Sequence, residues 1–186
     1  MPQFVQIANL ILSLLTVVAQ ILSVVLIIGL ITRNGAILKL FSRRAIVSAG
    51  IVALVATVGS LFYSESAGYD PCKLCWFQRI LMYPQVILFG LALAGRLRDY
   101  LVAAGTLSGI GALVAGYHYL LQIGVITGGN CGAVGYSAAC SQRFVMNFGY
   151  ITIPMMALSA FLLILLISIA AHKTATHENT AQKNHS

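Results

Sequence analysis

Residues 45–63 read AIVSAGIVALVATVGSLFY and contain no charged side chain. A helix needs about 20 such residues to cross the roughly 30 Å hydrocarbon core of a membrane. Four further apolar stretches lie at residues 4–31, 76–94, 100–123 and 144–171. Strand-type alternation of apolar and polar residues is absent from all five stretches, which disfavours a membrane β-barrel. The sequence therefore predicts an all-α integral membrane protein with five spans.

The composition of the chain supports this prediction. Of its 186 residues, 59% are hydrophobic and only 8% are charged, whereas soluble domains carry about 25% charged residues. So few charges could not shield that apolar surface, which excludes a typical soluble enzyme, a disordered chain and a disulfide-scaffold peptide. No linker divides the chain, so residues 1–172 are expected to form one transmembrane domain, followed by a polar, mobile tail at 173–186.

The distribution of basic residues predicts the orientation, because cytoplasmic segments are enriched in lysine and arginine. Eight basic residues flank the spans on one side: Arg33, Lys39, Arg43, Arg44, Arg96, Arg98, Lys173 and Lys183. Only Lys73, Arg79 and Arg143 lie on the other side. The N-terminus and the loops at 64–75 and 124–143 are therefore expected outside the cytoplasm, and the tail inside it. The basic residues form no single patch, so no nucleic acid partner is predicted.

All four cysteines lie in, or at the edge of, the two predicted outer loops. Cys72 and Cys75 belong to the first loop, and Cys131 and Cys140 to the second. An even number of cysteines on the oxidising side of a membrane is typical of disulfide chemistry, and the spacing favours two pairs. Two purely structural disulfides are one alternative. A four-thiolate zinc site is another, but C-x8-C is a loose spacing for zinc, so no metal site is predicted.

The residues around the first pair favour redox activity. Asp70 and Pro71 are typical of a helix start, with Asp70 as N-cap and Pro71 in the first turn. Cys72 and Cys75 would then lie where unpaired backbone N–H groups and the helix dipole favour a thiolate. Lys73 adds positive charge nearby. A spacing of three places both sulfurs on one helical face, within reach of a disulfide bond.

Arg79 follows Cys75 by one helical turn and enters an apolar stretch. A charged residue at membrane depth indicates function by default. Arg79 could stabilise a thiolate of Cys75 or bind a carbonyl of a lipid-soluble oxidant. The alternative is a snorkelling arginine that anchors the helix at the membrane surface.

The fourth span carries a histidine and several small residues. His118 lies near its outer end, and spacing alone favours a histidine that is hydrogen-bonded inside the bundle. The pattern of small residues at 105, 109, 112 and 116 predicts close packing against another helix.

The run PCKLCWFQRILMYP at residues 71–84 strongly resembles a segment of the disulfide bond formation protein B family, closest to its short-loop Gram-positive type. HYLLQ at 118–122, FGYITIP at 148–154 and the second paired-cysteine loop are also similar to family elements. The likeness covers about residues 45–170. It implies a four-helix transmembrane bundle in the bacterial cytoplasmic membrane, to which residues 4–31 add one N-terminal transmembrane helix of unassigned role.

The resemblance implies a membrane thiol oxidase that passes electrons from a thioredoxin-like extracytoplasmic partner to a membrane quinone, ubiquinone or menaquinone. The family pattern implies that the partner attacks the Cys131–Cys140 disulfide at Cys131. The resulting dithiol would then reduce the Cys72–Cys75 disulfide, and Cys75 would deliver two electrons to the quinone.

The HYLLQ family element implies that His118 faces the quinone, and Arg79 is predicted to bind the quinone because it lies one helical turn below Cys75. A quinone reductase resembling vitamin K epoxide reductase is an alternative, disfavoured because the C-x-x-C of that family comes late in the chain. A non-enzymatic membrane protein with two structural disulfides is the other alternative, and it would contain inert cysteines and no quinone.

Overall fold

The computed structural model describes residues 2–96, 99–126 and 143–183, with side chains described as far as residue 175. Within these ranges the chain forms six helices and no strand: α1 Gln3–Ile31, α2 Gly35–Ser42, α3 Ala45–Glu65, α4 Lys73–Leu93, α5 Tyr100–Ile123 and α6 Ile153–Lys183. All but α2 are long and apolar enough to cross a membrane. The prediction of an all-α membrane protein with an additional N-terminal span is therefore confirmed. Arg98, Cys131 and Cys140 lie outside the described residues.

The helix of the last span begins later in the chain than the apolar stretch at 144–171 predicts. Its helix starts at Ile153, because the preceding backbone makes a tight turn. Residues 148–149 have φ angles of 52° and 79°, in the left-handed region that helices avoid. The turn is closed by backbone pairing between Asn147 and Ile151, with a hydrogen bond of 3.0 Å from Asn147 N to Ile151 O. The apolar pattern alone does not reveal this turn.

Two helical segments were not predicted. The short helix α2 lies in the basic loop after α1, and Asn34 is its N-cap. The Asn34 side-chain oxygen accepts hydrogen bonds from the backbone N–H groups of Ala36 and Ile37, at 3.1 and 3.5 Å. At the other end of the chain, α6 continues to Lys183, through residues expected to form a mobile tail.

The helices pack around α6, against which α1, α2, α3 and α5 all lie. Half of the residues in the span of α6 are buried, against at most 33% in the other four spans. Phe89, Phe161 and Ile164 are among the largest side chains of this core. Large apolar side chains such as Leu14 and Ile87 cover the outer surface, as expected where lipid replaces water.

Close packing of α5 on α6 occurs at Gly111. A Cβ atom at Gly111 would overlap the ring of Phe161, which is fully buried. Only part of the predicted small-residue pattern on α5 therefore contacts α6. A Cβ at Gly105 would lie 3.7 Å from Ser168, whereas Gly109 and Gly116 face open space. Periodicity identified the helix but not the face that packs.

Gly111→Ala is expected to lower the free energy of unfolding by about 1–3 kcal/mol, the usual range for overpacking a core. Gly109→Ala is the matched control and should cause no loss, because its Cβ would point into open space. Thermal unfolding of both variants in the same detergent measures the difference. Equal midpoints for the two variants would contradict the Gly111–Phe161 contact.

Candidate functional site

A cavity of about 280 Å³ lies among α1, α3, α4 and α6. Its volume is near the lower end of ligand pockets, which range over about 300–1,000 Å³. One end is polar and is lined by Cys72, Cys75, Gln78, Arg79 and His118. Most of the remaining lining is apolar. A few convergent polar groups in an apolar cavity are the usual composition of a small-molecule site.

Cys72 is the N-cap of α4, so the prediction that Asp70 caps this helix is wrong. The backbone of Cys72 is extended, with φ −70° and ψ 169°, and Lys73 is the first helical residue. The Cys72 Sγ accepts a hydrogen bond of 3.4 Å from the backbone N–H of Cys75. The first N–H groups of a helix lack intrahelical partners. Here a sulfur takes the place of the usual capping oxygen, which stabilises its thiolate form.

Two sulfurs and an imidazole lie together at the polar end of the cavity. The Cys72 Sγ is 3.1 Å from the Cys75 Sγ and 3.7 Å from the His118 Nε2. Cys72 and His118 are buried, whereas Cys75 is half-buried. The three ligand atoms lie within 4.8 Å of one another. The group can therefore form a disulfide between the cysteines or hold a metal ion such as zinc with one open position.

Gln78 also belongs to this cluster, although the sequence did not single it out. It is buried, and its Nε2 lies 3.0 Å from the His118 Nδ1. With the amide donating to Nδ1, the imidazole proton sits on Nε2, the nitrogen that faces the Cys72 Sγ. Gln78 follows Cys75 by three residues, which places both on one helical face. That spacing could have identified Gln78 as a residue of the site.

Arg79 is held at the wall of the cavity by α3. Its Nε donates to the Ser60 Oγ and its Nη2 to the Ser60 backbone oxygen, both at 2.9 Å. The guanidinium also lies 5.3 Å from the centre of the Trp76 ring. Among the described residues, these hydrogen bonds use two of its five N–H donors. Arg79 lines the same cavity as Cys75.

The second cysteine pair, Cys131 and Cys140, lies outside the described residues. The described residues on both sides of that segment lie beside the first pair. Ile126 packs against the cluster that contains Cys72. The Nε of Arg143 donates a hydrogen bond of 2.7 Å to a backbone carbonyl at the end of α5.

Stacked aromatic rings join the two outer segments. Tyr63, Tyr69 and Phe144 stack in sequence, with centroids 5.9 and 4.7 Å apart and rings 16° from parallel. Tyr69 precedes Cys72 by three residues, and Phe144 follows the second cysteine segment. All three rings line the cavity. The stack therefore holds the start of α4 against the chain that enters α6.

Comparison with known proteins identifies relatives of the chain. The family model described as "Disulfide bond formation protein DsbB" matches residues 42–171. "Probable disulfide formation protein" of Oceanobacillus iheyensis is 44% identical over 119 residues, which is 64% of this chain and 82% of that protein. "Probable disulfide formation protein C" of Bacillus cereus is 38% identical over 134 residues, 69% of this chain and 92% of that protein. "Disulfide bond formation protein C" of Bacillus subtilis is 41% identical over 119 residues, 62% and 83% of the two chains.

No solved structure matches the chain. The family match begins at the end of α2, covers the whole cysteine, glutamine, arginine and histidine cluster, and leaves α1 outside. It covers well over half of the sequence, and the relatives agree with it in name. The chain is therefore a multi-pass bacterial membrane protein of disulfide bond formation, and it belongs to the disulfide bond formation protein DsbB family.

Proposed function

We propose that the protein is a thiol:quinone oxidoreductase, which reoxidises a thioredoxin-like extracytoplasmic thiol oxidase and passes the electrons to a membrane quinone. The observation that carries this proposal is the position of the Cys72–Cys75 pair beside Arg79 and His118, at the polar end of a mostly apolar cavity. A cavity between membrane spans favours an oxidant that dissolves in lipid. Family membership supports disulfide chemistry at the cysteines.

The residues around the cavity fit a quinone. A quinone ring presents two neutral carbonyl oxygens that accept hydrogen bonds, and the Arg79 guanidinium has donors beyond those bonded to Ser60. His118 lies at the same end of the cavity. When bound, a quinone supplies an acceptor for two electrons and two protons. Either ubiquinone or menaquinone meets these requirements.

The cysteine pair is proposed to be the electron donor at this end. As the Cys72–Cys75 bond forms, both S–H bonds break, and two electrons and two protons leave the dithiol. The N–H of Cys75 and the start of α4 stabilise the Cys72 thiolate, and the His118 Nε2–H lies 3.7 Å from the same sulfur, towards which it can donate. Cys75 is half-buried and lines the cavity, so it is the sulfur proposed to pass the electrons on.

The Cys131–Cys140 pair is proposed to exchange with the partner, which attacks at Cys131. Each thiol–disulfide exchange passes through a mixed disulfide, forms one S–S bond and breaks another. The dithiol left at Cys131 and Cys140 would then reduce the Cys72–Cys75 disulfide. The tethers support this step: Cys140 is three residues from Arg143, at most about 11 Å of extended chain, and Arg143 is bonded to the end of α5 beside the site.

The proposed location is the bacterial cytoplasmic membrane, with residues 1–172 as one transmembrane domain and both cysteine loops outside the cytoplasm. The bias of eight basic residues to three supports this orientation. This orientation also places both cysteine loops on the oxidising side of the membrane, where disulfides persist.

A variant whose only cysteine is Cys131 is expected to react with a membrane-impermeant maleimide in intact cells. The matched control is a variant whose only cysteine replaces Lys39, in the basic loop, and it should react only after the cells are opened. Gel shifts of the labelled protein measure both reactions. The reverse pattern would contradict the orientation and the relay together.

Substitutions in the two cysteine pairs are expected to stop different steps of the proposed relay. Cys131→Ser should abolish oxidation of the partner while quinone still binds. Cys75→Ser should stop quinone reduction but leave Cys131 able to trap the partner as a mixed disulfide. Quinol formation by absorbance and non-reducing gels measure the two steps, and mass spectrometry of lipid extracted from the purified protein identifies the quinone. Full quinone turnover by Cys75→Ser would show that the relay is wrong.

Arg79→Lys and Arg79→Met separate charge from directional bonding. Lysine keeps the charge but loses the planar set of donors that also holds Ser60. Because quinone carbonyls are neutral and the start of α4 already stabilises the thiolate, both variants should raise the quinone KM. The expected rise is roughly tenfold for each ~1.4 kcal/mol of lost bonding.

The KM values are to be measured at matched protein levels, with Arg96→Met as the control, since Arg96 is exposed and lies away from the cavity. A mild effect of lysine with a severe effect of methionine would indicate that charge dominates. Wild-type KM values in both variants would exclude Arg79 from the quinone site.

A further inference from the structure

The additional helix α1 is docked into the bundle by hydrogen bonds at membrane depth. The Gln20 Nε2 donates to the Ser159 Oγ of α6 at 3.1 Å, and the Tyr150 hydroxyl donates to the Gln20 Oε1 at 2.9 Å. Hydrogen bonds between spans hold helices together where lipid offers no competing partner. Gln20 therefore ties α1 both to α6 and to the segment that precedes α6.

A second polar contact lies nearer the start of α1. The Asn147 Nδ2 donates to the Asn9 backbone oxygen at 3.1 Å and to the Ser13 Oγ at 2.7 Å. Asn9 and Ser13 are buried, although the family match does not extend to α1. Two separated polar contacts fix the rotation of α1 about its axis, so one defined face is turned towards the cavity.

That face forms one wall of the cavity. Its lining residues fall on one side of the helix: Leu12, Leu15, Thr16, Val18, Ala19 and Leu22. From Leu12 to Leu22 the helix rises about 15 Å, at about 1.5 Å per residue. Apart from Thr16, these side chains are apolar, and the Thr16 hydroxyl is bonded to the Leu12 backbone oxygen at 2.7 Å. The wall offers an elongated apolar surface that leads away from the polar end.

One side of the cavity is lined by residues of both α1 and α3. The two helices approach closely at their outer ends, where a Cβ on Gly59 would lie 3.2 Å from Leu12 and where Phe4 packs edge-on against Phe62. Over its whole length, α1 packs mainly against α6 and little against α3. Four side chains on this side both line the cavity and are exposed on the surface: Leu15, Val18, Ile51 and Val55.

We propose that α1 is a tail-binding helix: it closes the cavity beside the site and holds the polyprenyl tail of the quinone, which leaves towards lipid through the gap between α1 and α3. This proposal rests on the proposed function, because the quinone ring at the polar end is what places a tail along α1. A ligand with a polar ring and a long apolar chain matches both the polar end and the elongated apolar wall. Tail recognition would then depend on a helix outside the family match.

Ala19→Trp tests the proposal, because it fills the tail path some distance from the cysteines. Equilibrium binding to the purified full-length protein is measured for a long-tailed quinone and for an analogue with a single prenyl unit. We expect the ratio of the long-tail Kd to the short-tail Kd to rise at least about tenfold. Ile21→Trp is the matched control, since Ile21 lies on the same helix, is exposed and does not line the cavity. It should leave the ratio unchanged.

A second measurement uses the wild-type protein and does not depend on a variant that folds. A quinone with a photoreactive group in its tail should label the α1 peptide that contains residues 12–22, and unlabelled long-tailed quinone should prevent that labelling. Labelling elsewhere would overturn the proposal. So would labelling of α1 by a photoreactive phospholipid that quinone does not displace, because the wall would then bind acyl chains.

Different results would overturn the proposed function and the role of α1. Wild-type protein that neither binds nor reduces any quinone would overturn the proposed function, and the role of α1 with it. Wild-type protein that reduces both quinones, with an unchanged Kd ratio in Ala19→Trp, would overturn only the role of α1.

Discussion

The sulfur of Cys72 caps α4, and the geometry of the whole site depends on that contact. Because the Sγ accepts the backbone N–H of Cys75, the two cysteines face each other at the start of the helix. The same sulfur lies 3.7 Å from the His118 Nε2 on α5. A helix start favours negative charge, so the cap that begins α4 also favours a thiolate at Cys72, the form that the proposed disulfide exchange would require. The local structure and the chemistry therefore share one interaction.

Polar groups between membrane spans are costly unless they are bonded, and this site satisfies them across helices. Arg79 bonds to Ser60 of α3, and Gln78 bonds to His118 of α5. Deeper in the bundle, the Ser108 hydroxyl donates to the Gln85 Oε1 at 3.0 Å. These contacts orient α3, α4 and α5 around the cavity. The Arg79 guanidinium and the His118 imidazole are held in place before any ligand binds. Ligand binding therefore costs less side-chain conformational entropy.

The few polar residues of the additional helix have a structural role. Asn9, Ser13 and Gln20 lie within the first apolar stretch, which has the highest mean hydropathy of the five spans. In the structure these residues are the docking points of α1, since they contact Asn147, Tyr150 and Ser159. These polar residues thus make the helix an integral part of the bundle. Its remaining inward face is apolar and lines the cavity.

The all-α membrane fold, its five spans and the family follow from the sequence alone, because apolar length and a short cysteine motif are local properties of the chain. The proximity of Cys72 to Cys75 is local as well, since one helical turn separates them. Other features depend on residues far apart in sequence, such as His118 beside Cys72, Ser60 beneath Arg79 and Phe161 against Gly111. Periodicity places each of these residues on a helix but does not say which helix faces it. The cap of α4 and the turn before α6 are local features that the apolar pattern did not reveal. The partners of His118, Arg79 and Gly111 and the wall formed by α1 were decided only by tertiary packing, because burial and hydrogen bonding across helices depend on which helices meet.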